Sequence, residues 1–134
     1  MTCDLVDTIK AVRPVLPARD FGTSKRFYSD LGFQVRVLTD RLAEIRYGAY
    51  SFLLQDHYVE QWADNCVVHL LVSDVDRWWN HIRALDLASR YEIRTMAPRL
   101  EFWGKVAGLT DPSGVLWRII EPPLQSESEA GRDS

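Results

Sequence analysis

The chain is poor in cysteine, has no glycine-rich stretch and carries no strong charge excess. Its 134 residues include two cysteines, Cys3 and Cys66, far apart and without a metal or redox spacing. That excludes a disulfide scaffold and suits a reducing compartment. No apolar run approaches the ~20 residues of a membrane-spanning helix. The opening Met1-Thr2-Cys3-Asp4-Leu5-Val6-Asp7 lacks the basic and apolar regions of a signal peptide. The formal net charge is −3, and no basic stripe points to nucleic acid. Glu127, Glu129 and Asp133 against Arg132 give the segment 125–134 a charge of −2. The body is therefore close to neutral, and 125–134 reads as a disordered acidic tail. The expected compartment is the cytoplasm.

Motifs of covalent chemistry are missing too. There is no Gly-x-Ser-x-Gly and no phosphate-binding glycine loop. Cys66 opens an apolar stretch, where a free thiol is ordinarily inert packing. What the chain does have is aromatic side chains: five Trp, five Tyr and five Phe. Such residues supply contact area in cores and in ligand clefts alike.

The order of elements repeats. At an offset of 54 residues Leu16 meets Leu70, Asp20 meets Asp74, Tyr28 meets Ile82 and Leu31 meets Leu85. Each half reads as an apolar strand, an Asp-capped turn, an amphipathic helix and further strands. In the first half the strands are expected at 9–18, 33–38, 42–47 and 51–55, with a helix after Asp20 that stops at Gly32. In the second half they are expected at 66–72, 91–97, 103–109 and 115–121. Val75, Trp78, Trp79, Ile82 and Leu85 recur at helical spacing after Asp74, so they form the buried face of a second helix. Residues 56–64 link the halves. One domain, 1–124, is expected, with units of about 8–57 and 65–122.

Two stretches carry a resemblance. The first is Leu16-Pro17-Ala18-Arg19-Asp20-Phe21 with Phe27-Tyr28 and Leu31-Gly32-Phe33. The second is Leu100-Glu101-Phe102-Trp103-Gly104 followed by Asp111-Pro112-Ser113-Gly114-Val115-Leu116-Trp117-Arg118. Together they resemble the vicinal-oxygen-chelate (glyoxalase/bleomycin resistance/dioxygenase) superfamily, and within it the bleomycin-resistance-type binding proteins. The resemblance implies an α+β fold of two tandem βαβββ units, forming a curved mixed sheet around a concave cleft. It also implies a homodimer, because open sheet edges need cover.

Metal-dependent members of that superfamily carry His and Glu ligands on facing strands. By the shared motifs, the first ligand position falls on Arg13 and the last on Arg118. The others fall near Leu53 or Leu54 and near Val68, whose neighbour is His69. Guanidinium groups stay protonated and cannot ligate a cation, so no metal or other cofactor is expected. The resemblance then implies a non-catalytic small-molecule binder that sequesters an antibiotic or another aromatic or anionic ligand. A metal-independent enzyme on the same scaffold and a ligand-sensing module stay open as alternatives. Trp103 is the principal ligand contact by this analogy. Arg118, Arg13, Phe102, Glu101, Trp62 and His69 are the other candidates, and none is assigned a catalytic role. Arginines facing inward favour a carboxylate or phosphate and repel a cation.

Overall fold

A computed structural model describes residues 5–123; the expected tail at 125–134 and Cys3 lie outside the described residues. Asp20 sits in extended backbone, and its carboxylate accepts the Thr23 N–H at 3.0 Å. That satisfies one of the free donors at the start of α1, Phe21–Leu31. The helix buries Ser24, Phe27, Tyr28 and Leu31. It ends at Gly32, whose φ of +122° suits glycine and lets its N–H turn back to the Ser29 and Tyr28 carbonyls. Asp74 repeats the device in the second half, accepting the Arg77 N–H at 3.2 Å to start α3, Val75–Ala84.

The strands follow in the same order in both halves. β1 (Val15–Pro17) precedes α1, and β2 (Gln34–Thr39), β3 (Leu42–Tyr47) and β4 (Tyr50–Gln55) follow it. β5 (Val67–Leu71) precedes α3, and β6 (Thr95–Glu101), β7 (Gly104–Thr110) and β8 (Leu116–Glu121) come after. The spatial orders are β1-β4-β3-β2 and β5-β8-β7-β6. β1 runs parallel to β4, and β5 to β8, while the other pairs are antiparallel. The α+β fold of two tandem βαβββ units is thus present. It is built as two separate four-stranded sheets rather than one continuous sheet, since β1 and β5 each pair on one side only.

Local details depart from the sequence reading. The strand expected at 9–18 shrinks to three residues. Pro14 and Pro17 lack the N–H that a longer ladder would need. The link at 56–64 contains a short helix, α2 (Glu60–Asp64). A further short helix, α4 (Leu87–Tyr91), delays the strand expected at 91–97, so that β6 begins at Thr95. Asp86 and Glu92 bound α4 at a φ of +54°, each in the left-handed region, while its Leu87 is fully buried. β6 contains Pro98, and its register against β7 shifts between Met96 and Arg99. That is the bulge a proline imposes on a strand.

Both sheets turn their helix-covered faces into one core. Leu16, Ile45, Phe52 and Leu54 from the first sheet join Ala107, Leu109, Trp117 and Ile119 from the second, with Phe27, Tyr28, Val75 and Ile82 from the helices. The Tyr28 ring lies at the centre, with centroids of Phe27, Phe33, Phe52 and Trp117 at 5.0–6.0 Å. Trp78 packs against this core. Trp79 is half-buried and borders a hollow with Ile82 and Leu87.

Candidate functional site

Because side chains alternate along a strand, each sheet has an outward face opposite the core. On the second sheet, register pairs put Arg118 opposite Gly108, and Gly108 opposite Met96. After the bulge Arg99 pairs with Val106, and Glu101 with Gly104. Gly108 lets the Met96 side chain lie over β7, since a Cβ there would come within 2.7 Å of the Met96 methyl. The outcome is a cleft of about 400 Å³ bordered by Met96, Ala97, Arg99, Glu101, Trp103, Val106, Ala107 and Arg118.

Trp103 stands in the two-residue turn between β6 and β7, not within a strand. It is 39% exposed, whereas Phe102 beside it is 96% exposed and does not border the cleft. Gly104 closes the hairpin at a φ of +147° and lies against β8, where a Cβ would meet the Glu121 carbonyl oxygen at 2.9 Å. Glycine therefore fixes where the turn, and with it Trp103, sits over the sheet. Glu101 is held by Arg99, Nε to carboxylate at 2.8 Å. The carboxylate of the cleft is thus matched, and Arg118 has no carboxylate within ion-pair distance among the described residues.

The remaining candidates lie elsewhere. Arg13 lies just before β1, and its Nη1 reaches the first sheet to donate to Glu44 Oε2 at 2.9 Å. Trp62, in α2, is exposed and has the His57 ring 6.1 Å away. His69 is the register partner of Arg118 and also borders an apolar hollow between the two sheets, with Phe52, Trp78 and Trp117. Met96, Arg99 and Val106 border the cleft without having stood out in the sequence. Alternation counted back from Glu101 reaches Arg99, and Val106 is its partner on β7, but the Pro98 bulge takes Met96 out of that count.

The donors expected for a divalent metal do not fit. Arginine occupies the first and last positions, and among the described residues no group of three or more His, Cys, Asp or Glu side chains converges. Cys66 is half-buried. Burial, with the Asp111 charge nearby, pushes its thiol above the ordinary value, which disfavours the nucleophilic thiolate. Asp111 is spent on structure: it accepts the Tyr28 hydroxyl at 2.7 Å and the Ser113 and Val115 N–H groups at 2.9 Å each. The cleft therefore offers an aromatic face, two guanidinium groups and a matched carboxylate.

With this fold and this cleft, the chain belongs to the Glyoxalase/Bleomycin resistance protein/Dioxygenase superfamily, whose model matches residues 9–119. It is 29% identical over 119 residues to a bleomycin resistance protein from Klebsiella pneumoniae, covering 83% of this chain and 91% of that one. Its structure superposes on a bleomycin resistance determinant encoded on the transposon Tn5 with a TM-score of 0.73 at 27% identity, covering 87% of this chain and all of that one. A bleomycin-binding protein complexed with bleomycin gives a TM-score of 0.71 at 26% identity, over 86% of this chain and all of that one. Lactoylglutathione lyase from Agrobacterium tumefaciens, at 19% identity and a TM-score of 0.62, shares the fold. Among the described residues no helix is long and apolar enough to cross a membrane.

Proposed function

We propose that this chain is a small-molecule-binding protein that sequesters an antibiotic or a similar aromatic ligand without chemical conversion. The observation that carries the reading is the cleft itself. Trp103 and Arg118 border one hollow of about 400 Å³, within the usual size range of ligand sites. Its carboxylate, Glu101, is already engaged by Arg99, so no free acid and base face each other there. The names of relatives at 26–29% identity, a bleomycin resistance protein and a bleomycin-binding protein among them, support the same reading. In this role Trp103 supplies the stacking face and Arg118 a fixed positive charge. The working form is a homodimer in the cytoplasm, because β1 and β5 leave open sheet edges that a second copy would cover.

Tryptophan fluorescence titrated with bleomycin and with a panel of aromatic carboxylates tests the site. The expected result is a saturable change in wild type that Trp103→Ala weakens about tenfold or more, the usual scale for losing a stacking aromatic. Equal binding by Trp103→Ala would show that Trp103 is structural. Sedimentation at micromolar concentration tests the assembly, and a clean monomer would contradict it.

A further inference from the structure

The outward face of the first sheet carries an unbalanced cluster of charge. Arg36 on β2 is the register partner of Glu44 on β3, and Glu44 is in turn the partner of Leu53 on β4, which faces Val15 on β1. Alternation puts Arg46 beside Glu44 on this face, and Arg13 reaches it from just before β1. Glu44 is only 4% exposed. Its Oε1 accepts Arg36 Nε at 3.3 Å, and its Oε2 accepts Arg13 Nη1 at 2.9 Å and Arg46 Nη2 at 3.1 Å. Three guanidinium groups thus surround one carboxylate.

A structural salt bridge needs one cation for one carboxylate, as Arg99 and Glu101 have on the other sheet. Here two positive charges remain over, on a chain whose formal net charge is −3. No other carboxylate among the described residues lies within ion-pair distance of Arg13, Arg36 or Arg46. Arg36 and Arg46 stay accessible, with 68% and 38% of their side chains exposed. Each guanidinium has five N–H donors in a planar fork, and Arg36 spends one of them on Glu44. Glu44 therefore acts as a buried anchor that gathers three forks; Arg46 also donates Nη1 to the Gly48 carbonyl at 3.2 Å, and Arg36 keeps most of its donors on an exposed side chain. Forks of that kind match the paired oxygens of a carboxylate or phosphate.

We propose that Arg13, Arg36 and Arg46, gathered on Glu44, form an anion-binding site for the carboxylate or phosphate group of an organic ligand. The proposal rests on the reading of the chain as a small-molecule binder and adds to it a charged site on the first sheet, whose lining shares no residue with the Trp103 cleft. A cationic glycopeptide such as bleomycin is disfavoured at this face, and an anionic aromatic compound is favoured.

Calorimetric titration at low ionic strength, where exposed charges are least screened, tests it on the full chain. The probes are 2-naphthoate, 2-naphthyl phosphate, neutral 2-naphthol and the 2-naphthyltrimethylammonium cation. At least one of the two anions is expected to bind about tenfold or more tightly than the alcohol and the cation, the scale of one lost charge-assisted contact; which of them binds better identifies the oxyanion. Arg36→Gln and Arg46→Gln should each weaken that anion about tenfold.

Anion binding no tighter than that of 2-naphthol, or unchanged in both arginine variants, would overturn the proposal. Trp103→Ala in the same assay separates it from the proposed function. Anion binding lost in the arginine variants and kept in Trp103→Ala supports the arginine site and leaves the Trp103 cleft to its own titration. Loss in Trp103→Ala alone supports the Trp103 cleft and refutes the arginine site.

Discussion

The Tyr28 hydroxyl, in the first unit, donates a 2.7 Å hydrogen bond to the Asp111 carboxylate in the second, 83 residues away. The same oxygen accepts the Trp117 indole N–H at 3.0 Å. Tyr28 and Asp111 are both buried. Asp111 also accepts the Ser113 and Val115 N–H groups, so one carboxylate shapes the Asp-Pro-Ser-Gly turn and ties the two repeats together. A polar cluster this deep is stabilising only while every member is satisfied.

Removing the hydroxyl should expose that dependence. Tyr28→Phe leaves Asp111 Oδ2 and Trp117 Nε1 without this partner. Urea unfolding should show a loss of about 2 kcal/mol, the usual cost of an unsatisfied buried polar group. A loss below about 0.5 kcal/mol would mean that water replaces the hydroxyl.

Stability should also depend on pH through Asp111. Burial raises its carboxyl above the ordinary carboxylate value, against the lowering effect of the hydrogen bonds from Tyr28, Val115 and Ser113. The folded state then holds this proton more tightly than the unfolded chain. The contribution is full below about pH 4, the unfolded value, and is lost as pH rises through the folded one. Asp111→Asn cannot titrate. Thermal melts from acid to neutral pH should therefore show the variant gaining on wild type as pH rises. A constant difference between the two curves would refute the shift.

Gly104 sets the position of Trp103. Gly104→Ala would place a methyl at a φ of +147° and within 2.9 Å of the Glu121 carbonyl oxygen. A strained position of this kind costs about 1–3 kcal/mol. The hairpin should shift away from β8, so the expected outcome is a lower unfolding midpoint together with altered Trp103 fluorescence. Unchanged stability would show that the turn tolerates a side chain.

Much of this protein was already set by its sequence, and those parts are local. Asp20 and Asp74 start their helices through bonds to N–H groups three residues on. Phe27, Tyr28 and Leu31 share a helix face because of the helical period, and Gly32 ends the helix because it accepts positive φ. The repeat of these signals at a fixed offset carried the two βαβββ units. The tertiary structure alone decided which distant residues meet. Arg13 and Arg118 look equivalent in the chain, yet one is bound to Glu44 on the first sheet while the other shares a cleft with Trp103 on the second. Strand register fixes such partnerships, and a slip of one residue turns a side chain to the opposite face. The bulge at Pro98 is such a slip, and it hid Met96 from counting along the strand. The left-handed backbone of Asp86 and Glu92, which bounds α4, was equally hidden, since the glycine that usually marks such a position is absent at both. The short helix between them buries Leu87 completely, a contact that only the assembled fold supplies.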